Sequence, residues 1–333
     1  MANNITPEIQ AYTEQIVKNT LGTQAEVKGF EWSDAGGLFC KIFKVNTTES
    51  DFILKAECDE IFFATRKDQI ENEVIGNNLF QKTGVPCANI LAYDFTKNND
   101  MKARYIFTEH IKNDFEDWPL LGEVMDKFDE ETKSEIKRQV KIIIEKEQSI
   151  TNSHFGSLSQ SGTLGWHETY DGYYHSALNL LIKDSEKYEV FTNEELDIVK
   201  KAAEKPLVYS KKYIPTFNHG DLSSHNMIWG NTNGGENKVY VFDFGNAFFG
   251  LPYATEIYGI RTEGVDVINV MELDRNLYEE NLIGNFEKMF WTVSQKLTQD
   301  YAYCRFSDWT ESVKKDMSRT HITDFVDKCR KIL

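Results

Sequence analysis

The chain has 333 residues, of which 41% are hydrophobic and 27% are charged, with both signs mixed. This length and composition allow one large domain or two domains of ordinary size with hydrophobic cores, and they argue against a disordered chain. The formal net charge of −16 disfavours nucleic acid and anionic membranes as partners, and it would tolerate or attract a cationic substrate.

The five cysteines are widely spaced, and no two of them form a C-x-x-C pair. Their odd number and spacing argue against a disulfide framework and against a zinc site. The N-terminus has neither a basic start nor the apolar stretch that is typical of a signal peptide. No window approaches the length of about 18 apolar residues that a membrane span needs. We therefore expect a cytoplasmic protein with reduced thiols.

The first third of the chain alternates between helical and strand patterns. Apolar residues recur at helical spacing from Ile9 to Leu21, and Gly22 follows as a stop. The stretches GLFCKIFKV and DFILKAE are rich in apolar residues, and the polar stretch NTTES between them predicts a hairpin. The patterns predict helices at 7–21 and 66–82 and strands at 37–45, 51–57, 89–95 and 103–111. They describe a small, mostly antiparallel sheet with a helix packed on it.

Helical patterns dominate the rest of the chain, so the fold class is α+β. The segment 154–174 is rich in Gly, Ser and aromatic residues and is predicted to be a loop. The predicted helices lie at 130–150, 173–183, 193–212, 276–303 and 306–332. We place a boundary near residue 111, which divides the chain into an N-terminal lobe, 1–111, and a C-terminal lobe, 112–333.

Two polar interruptions in apolar surroundings carry the chemistry of the sequence. FNHGDLSSHNMIWG, at 217–230, contains Asp221 and Asn226, and VYVFDFGNAFFG, at 239–250, places Asp243 at the end of an apolar strand. An acid in such a position must be paired, hydrated or bound to a cation. The Asn226 amide and the Asp243 carboxylate are hard oxygen ligands that suit magnesium. Asp221 then remains as the acceptor of a proton from an attacking hydroxyl.

An Asp, four residues, an Asn and a later Asp-Phe-Gly follow the order of a kinase catalytic loop. With His-Gly-Asp in place of the His-Arg-Asp of protein kinases, the sequence resembles the aminoglycoside phosphotransferase and choline kinase superfamily over roughly residues 25–260. It departs from that family at His225, where many relatives carry Gly. The resemblance implies a bilobal protein-kinase-like fold with a small antiparallel-sheet N-lobe and a larger, mostly helical C-lobe. It also implies ATP-dependent phosphorylation of a hydroxyl on a small molecule.

A kinase site also needs a lysine on the third strand to hold the α- and β-phosphates, and a helical acid to orient that lysine. Lys55 in FILKAE fits this position, while Lys41 and Lys44 on the preceding strand fit less well. The family pattern of a Glu, a helical stretch and then Gly-Val-Pro matches Glu73, and Glu71 is the alternative.

The resemblance assigns two further segments to the nucleotide. SDAGGLF, at 33–39, precedes the predicted hairpin, and Gly36 and Gly37 would let backbone N–H groups approach the phosphates. This loop lacks the G-x-G-x-x-G spacing, and no P-loop is present in the sequence. The stretch FTEHI lies where the family has its inter-lobe hinge, so backbone groups from Glu109 to Ile111 would contact adenine.

The expected activity is transfer of the γ-phosphoryl group of ATP, or of GTP, with Mg²⁺ as cofactor. An aminoglycoside-type antibiotic is the first candidate for the acceptor. A small metabolite alcohol, such as choline, an amino alcohol or a sugar, is the second. A nucleotide-binding regulator without turnover is a third interpretation, and the complete set of catalytic residues argues against it.

Overall fold

The computed structural model describes residues 5–32, 40–57, 67–113, 115, 119–187, 191–204, 213–232, 235–252, 322–327, 329–331 and 333. The elements of the N-terminal part are α1 (Pro7–Leu21), β1 (Val27–Trp32), β2 (Cys40–Thr47), β3 (Asp51–Glu57), α2 (Gln69–Lys82), β4 (Ile90–Asp94) and β5 (Tyr105–Glu109). They are followed by α3 (Leu121–Val124), α4 (Glu130–Ser149), β6 (Phe155–Ser157), β7 (Trp166–His167), α5 (Tyr170–Lys187), α6 (Asn193–Ala203), β8 (Thr216–Asn218), β9 (Met227–Gly230), β10 (Lys238–Val241) and β11 (Phe248–Gly250).

The N-terminal elements form a five-stranded antiparallel sheet in the order β1-β2-β3-β5-β4. The predicted helices and strands of this region are present, with ends that differ by a few residues. Strand β1 was not predicted, because its sequence VKGFEW mixes charged and apolar residues and contains Gly29, beside which the register with β2 shifts.

The two faces of this sheet pack against different helices. Alternate strand residues point to opposite faces, and one face packs Phe43, Leu54 and Phe107 against α1 through Ile16 and Val17. The other face packs Ile106 and the start of β2 against α2. Lys55 stands opposite Ile106 in the register of β3 and β5, so it belongs to the face that α2 covers.

In the described residues, the C-terminal part contains helices α3 to α6 and two small antiparallel sheets. Strands β9 and β10 form a hairpin, and the other sheet has the order β7-β6-β11-β8. Helix α4 packs against β8 and β10. A second core joins α5 and α6 to Ile322, Phe325, Val326 and Cys329. A small antiparallel-sheet lobe followed by a larger helical part is the predicted α+β, protein-kinase-like architecture, and this prediction is confirmed.

Two predicted segments in the C-terminal part differ from the structure. The segment predicted as a loop at 154–174 contains β6 and β7, and α5 begins at Tyr170. Helix α6 ends at Ala203, before the predicted end at 212, and residues 205–212 lie outside the described residues. The predicted helix at 276–303 lies outside the described residues, and of the one at 306–332 only 322–327 and 329–331 are described, both helical.

Two isolated backbone bridges connect the N-terminal sheet region to the β9–β10 hairpin. Cys87 pairs with Val241, and Lys112 pairs with Asn231 through two hydrogen bonds of 2.9 and 2.8 Å. The division of the chain after residue 111 stays a prediction. In the part of the chain that the structure describes, no helix is long and apolar enough to span a membrane.

Candidate active site

A lysine, a glutamate and an aspartate from three elements meet at one point. The Lys55 Nζ on β3 lies 2.9 Å from Glu73 Oε2 on α2 and 2.6 Å from Oδ1 of Asp243, which follows β10. The backbone N–H of Asp243 donates to Glu73 Oε1 at 2.9 Å. Glu73 therefore orients the lysine with one oxygen and the aspartate backbone with the other, although 170 residues separate it from Asp243.

The backbone explains why these three side chains converge. Glu73 is 7% exposed on the buried face of α2 and is therefore not a solvated surface charge. Asp243 has φ 65° and ψ 54°, a left-handed conformation that Asp adopts more readily than most residues. The chain therefore turns away from the direction of β10 at Asp243. The Asp243 side chain is 40% exposed, while those of Lys55 and Glu73 are largely buried.

The charges of this cluster are set by competition between burial and ion pairing. Burial favours a lower pKa for the Lys55 ammonium, but the Asp243 and Glu73 carboxylates outweigh it and raise the pKa well above its ordinary value. Burial favours a higher pKa for Asp243, but the Lys55 ammonium and its hydrogen bond hold the pKa below the ordinary value. At Glu73 burial prevails over Lys55 and raises the pKa of the carboxyl group. Lys55 and Asp243 thus face each other as an ammonium and a carboxylate.

Helix α2 is fastened to the segment that carries Asp243. Phe244 is fully buried below the helix, where a Cβ on Gly76 would lie only 2.7 Å from the Phe244 Cβ. The Asn72 Nδ2 donates to the Gly245 carbonyl at 3.2 Å. The close approach requires Gly at position 76, and it fixes the position of Glu73 relative to Asp243.

Gly220 turns the chain between β8 and Asp221. Its φ is 83°, and a Cβ at this position would lie 2.2 Å from the carbonyl oxygen of Asn246. Only Gly fits a left-handed conformation with backbone this close. The turn brings the segment of Asp221 against the segment that follows Asp243.

His219 is a buried connector within this turn. Its Nδ1 accepts the backbone N–H of Asp221 at 3.3 Å, and its Nε2 lies 3.0 Å from the Phe242 carbonyl oxygen. Because Nδ1 accepts, the proton of the neutral ring belongs on Nε2, which donates to Phe242. Burial lowers the pKa of His219 to about 4, so the ring is neutral at pH 7. Its role is structural, and it does not act as a general base.

Asn226 is hydrogen-bonded to both segments of the candidate site. Its side-chain Nδ2 donates to the Asp221 carbonyl at 2.7 Å, and its backbone carbonyl accepts the Phe242 N–H at 3.2 Å. Because Nδ2 is engaged, Oδ1 is the amide atom that can serve as a ligand. Together with the Asp243 carboxylate it gives two hard oxygen donors, a set that suits Mg²⁺ shared with phosphate oxygens. In the described residues no three His, Cys, Asp or Glu side chains group as a metal site.

The predicted hinge follows β5. The Glu109 N–H donates to the Asn89 carbonyl at 3.0 Å, and Asn89 Nδ2 donates to Glu109 Oε2 at 2.8 Å. That N–H is therefore engaged within the protein and is not available to an adenine base. The Ile111 side chain is buried against Ala88 and Tyr240. Contact of the hinge with adenine stays a prediction.

The structure brings together most of the residues that the sequence assigned to the site. Lys55, Glu73 and Asp243 are in direct contact, and Asp221 is joined to Asn226. Gly36 and Gly37 lie outside the described residues. The roles of all these residues toward nucleotide and metal stay predictions.

Sequence reasoning missed several residues that fasten the site. Asn72 and Asn89 gave no signal, because an isolated polar residue on a helix or before a strand is ordinary. Glu147 did give one, since it is a charged residue on the apolar face of α4 that carries Val140 and Ile143.

Comparison with known proteins identifies the fold. No family model matches the sequence, and no curated protein matches it. Among solved structures, a proposed fructosamine-3-kinase from Haemophilus somnus 129PT superimposes with a TM-score of 0.61 at 13% identity and covers 96% of each chain. The aminoglycoside phosphotransferase APH(2″)-IIa in its gentamicin complex gives 0.57 at 17% identity, with 98% of this chain and 96% of that chain covered. APH(4)-Ia gives 0.57 at 12% identity, with 96% and 98% covered. The chain thus has the protein-kinase-like fold of the aminoglycoside phosphotransferases.

Proposed function

We propose that the protein is a small-molecule kinase that transfers the γ-phosphoryl group of ATP to a hydroxyl group. The observation that carries the proposal is the convergence of Lys55, Glu73 and Asp243 beside the hydrogen-bonded pair of Asp221 and Asn226. Phosphoryl transfer needs positioning and charge neutralisation more than covalent catalysis, and this arrangement offers both.

Each residue takes one part in the proposed reaction. Lys55, oriented by Glu73, binds the α- and β-phosphates of ATP, and Asp243 and Asn226 hold Mg²⁺. Bound Mg²⁺ would supply neutralisation of the charge on the β- and γ-phosphates. Asp221 accepts the proton of the acceptor hydroxyl while the oxygen of that hydroxyl bonds to the γ-phosphorus. The bond from that phosphorus to the β-phosphate oxygen breaks, and ADP leaves.

The first candidate for the acceptor is an aminoglycoside-type antibiotic. The net charge of −16 favours a cationic substrate, and APH(2″)-IIa, which has a similar fold, is described as a complex with gentamicin. The second candidate is a sugar or another small metabolite alcohol, and the similarity to a proposed fructosamine-3-kinase favours it. We place the protein in the cytoplasm, where the buried thiols of Cys40, Cys87 and Cys329 would stay reduced.

The test is a screen of nucleoside triphosphate consumption against aminoglycosides and metabolite alcohols. Asp221→Ala and Asp243→Ala serve as variants that should abolish transfer while the far-UV circular dichroism spectrum is retained. Phosphorylation of one acceptor class identifies the substrate, and the susceptibility of cells expressing the chain separates antibiotic from metabolite. Wild-type-like turnover by Asp221→Ala would refute the assignment. ATP binding without phosphorylation of any acceptor would favour a regulator in its place.

A further inference from the structure

Glu147 is a fully buried carboxylate to which the proposed reaction gives no part. It lies near the C-terminal end of α4 with 0% of its surface exposed, and the same helix face carries the buried side chains of Val140, Ile143 and Ile144. A carboxylate among aliphatic side chains is costly unless donors bind its oxygens. A Glu at this position therefore points to a specific polar contact.

That contact is with the segment that carries Asp221. The Glu147 Oε1 accepts the backbone N–H of His219 at 2.6 Å, although 72 residues separate the two in sequence. His219 is itself 0% exposed, so water does not reach this N–H. A buried N–H requires an acceptor from the protein, and Glu147 provides it.

The geometry of β8 shows why a side chain has this task. In extended backbone the N–H groups of alternate residues point to the same side. The Phe217 N–H donates to the carbonyl of Ile150, just after α4, at 2.9 Å. The next N–H on this side belongs to His219, and the Glu147 carboxylate takes the place that a carbonyl of a neighbouring strand would have.

The position of His219 is transmitted to the reacting groups. Its ring accepts the Asp221 N–H through Nδ1 and donates to the Phe242 carbonyl through Nε2. Phe242 in turn precedes Asp243 directly. A shift of the His219 backbone would therefore move the Asp221 segment relative to Asp243.

We propose that Glu147 is a positioning residue that accepts the backbone N–H of His219 and thereby fixes the position of the Asp221 segment relative to α4. The proposal rests on the proposed function for its kinetic consequence alone. Its structural content, the anchoring of residues 217–227 to α4, holds whatever the acceptor is.

Three kinds of variant separate positioning from general stability. Glu147→Gln keeps an acceptor oxygen at the same place, and Glu147→Met has a similar length without an acceptor oxygen. Glu147→Leu is a second apolar variant, used if the Met variant loses the wild-type circular dichroism spectrum. Val140→Ala, on the same buried helix face, is the control that loosens the α4 core without touching His219.

We expect Glu147→Met to lower kcat by about 100-fold, the loss expected for a reacting group misplaced by about 1 Å. The KM for ATP should stay within about twofold, because the lost contact is to the His219 backbone, whereas Lys55 lies on β3 and Glu73 on α2. Glu147→Gln should restore kcat to within about threefold of wild type, because its oxygen still accepts the N–H. Val140→Ala should lower the melting temperature and leave kcat within about twofold. Wild-type kcat in Glu147→Met, or an equal loss in Glu147→Gln, would overturn the proposal.

Amide hydrogen exchange gives a readout that does not depend on activity. In Glu147→Met, exchange of a peptide spanning 217–227 should accelerate about tenfold, while exchange across α2 is unchanged. If the wild type phosphorylates no acceptor, the proposed function fails, and the exchange result still decides the anchoring. Unchanged exchange in 217–227 would refute the anchoring even in an active enzyme.

Discussion

The protein should lose stability between pH 8 and pH 5, and replacing His219 with Gln should make that loss smaller. The ring is 0% exposed, its Nδ1 accepts the Asp221 N–H, and its Nε2 donates to Phe242. A second proton would have to sit on Nδ1, directly against the N–H of Asp221. The folded state therefore resists protonation, whereas the unfolded chain accepts the proton at the ordinary pKa of His.

The size of the effect follows from the two pKa values. Burial lowers the pKa of His219 from 6.5 to about 4. The stability of the neutral form is fully present above pH 6.5 and is lost as the pH falls toward 4, because only the unfolded state binds the proton in that range. The loss is about 2 kcal/mol at pH 5 and about 3 kcal/mol below pH 4, at 1.36 kcal/mol for each pH unit. His110, whose pKa is also lowered to about 4 by burial and by Lys44, contributes in the same direction.

The assay is urea unfolding at pH 8 and pH 5, followed by far-UV circular dichroism. The difference in the free energy of unfolding between the two pH values should be smaller by about 2 kcal/mol in His219→Gln than in wild type. Phe217→Leu is the matched control, since it weakens the same buried strand without removing a titrating group and should retain the wild-type difference. An unchanged difference in His219→Gln would show that the ring is not held neutral by the fold.

Two further predictions concern the backbone around the site. Gly220→Ala should lower the free energy of unfolding by about 2 kcal/mol or more and abolish transfer, because φ is 83° and the added Cβ would lie 2.2 Å from the Asn246 carbonyl oxygen. Gly235→Ala is the control, since its added Cβ would lie 3.7 Å from the nearest atom. It should change neither the free energy of unfolding in denaturation assays nor the turnover. Asp68→Ala should accelerate amide exchange in 158–165 about tenfold, because the Asp68 carboxylate accepts the Thr163 N–H. Asp68→Asn keeps an acceptor oxygen and is the control. Equal acceleration in both variants would show that this hydrogen bond does not hold the segment.

The sequence was informative where the chemistry is local. Asp221 and Asn226 are five residues apart, and Asp243 ends an apolar strand, so their residue types and spacing alone indicate a kinase-type site. The family pattern also named Glu73 as the partner of Lys55, and the two side chains are in contact at 2.9 Å. Lys44, one of the alternatives, instead contacts Asp51 at 3.2 Å.

Features that depend on distant partners could not be predicted in this way. Strands β6 and β7 have three and two residues, too few to establish an alternating pattern. They pair with each other, and β11, from elsewhere in the chain, pairs with β6. Glu147 has the sequence signal of a charged residue on an apolar helix face, yet its partner is known only once β8 has been placed beside α4. Such contacts follow from topology, which periodicity does not specify.

The fastening of α2 links the two halves of the candidate site. Glu73 binds Lys55 with one oxygen and the Asp243 N–H with the other, and Gly76 and Phe244 pack at a separation that excludes any larger residue. A displacement of α2 would therefore break the contact to the lysine and the contact to the aspartate backbone together. The Lys55 ammonium in turn compensates the Asp243 carboxylate at 2.6 Å. The contacts among Lys55, Glu73 and Asp243 therefore close on one another, and each residue depends on the other two for its position.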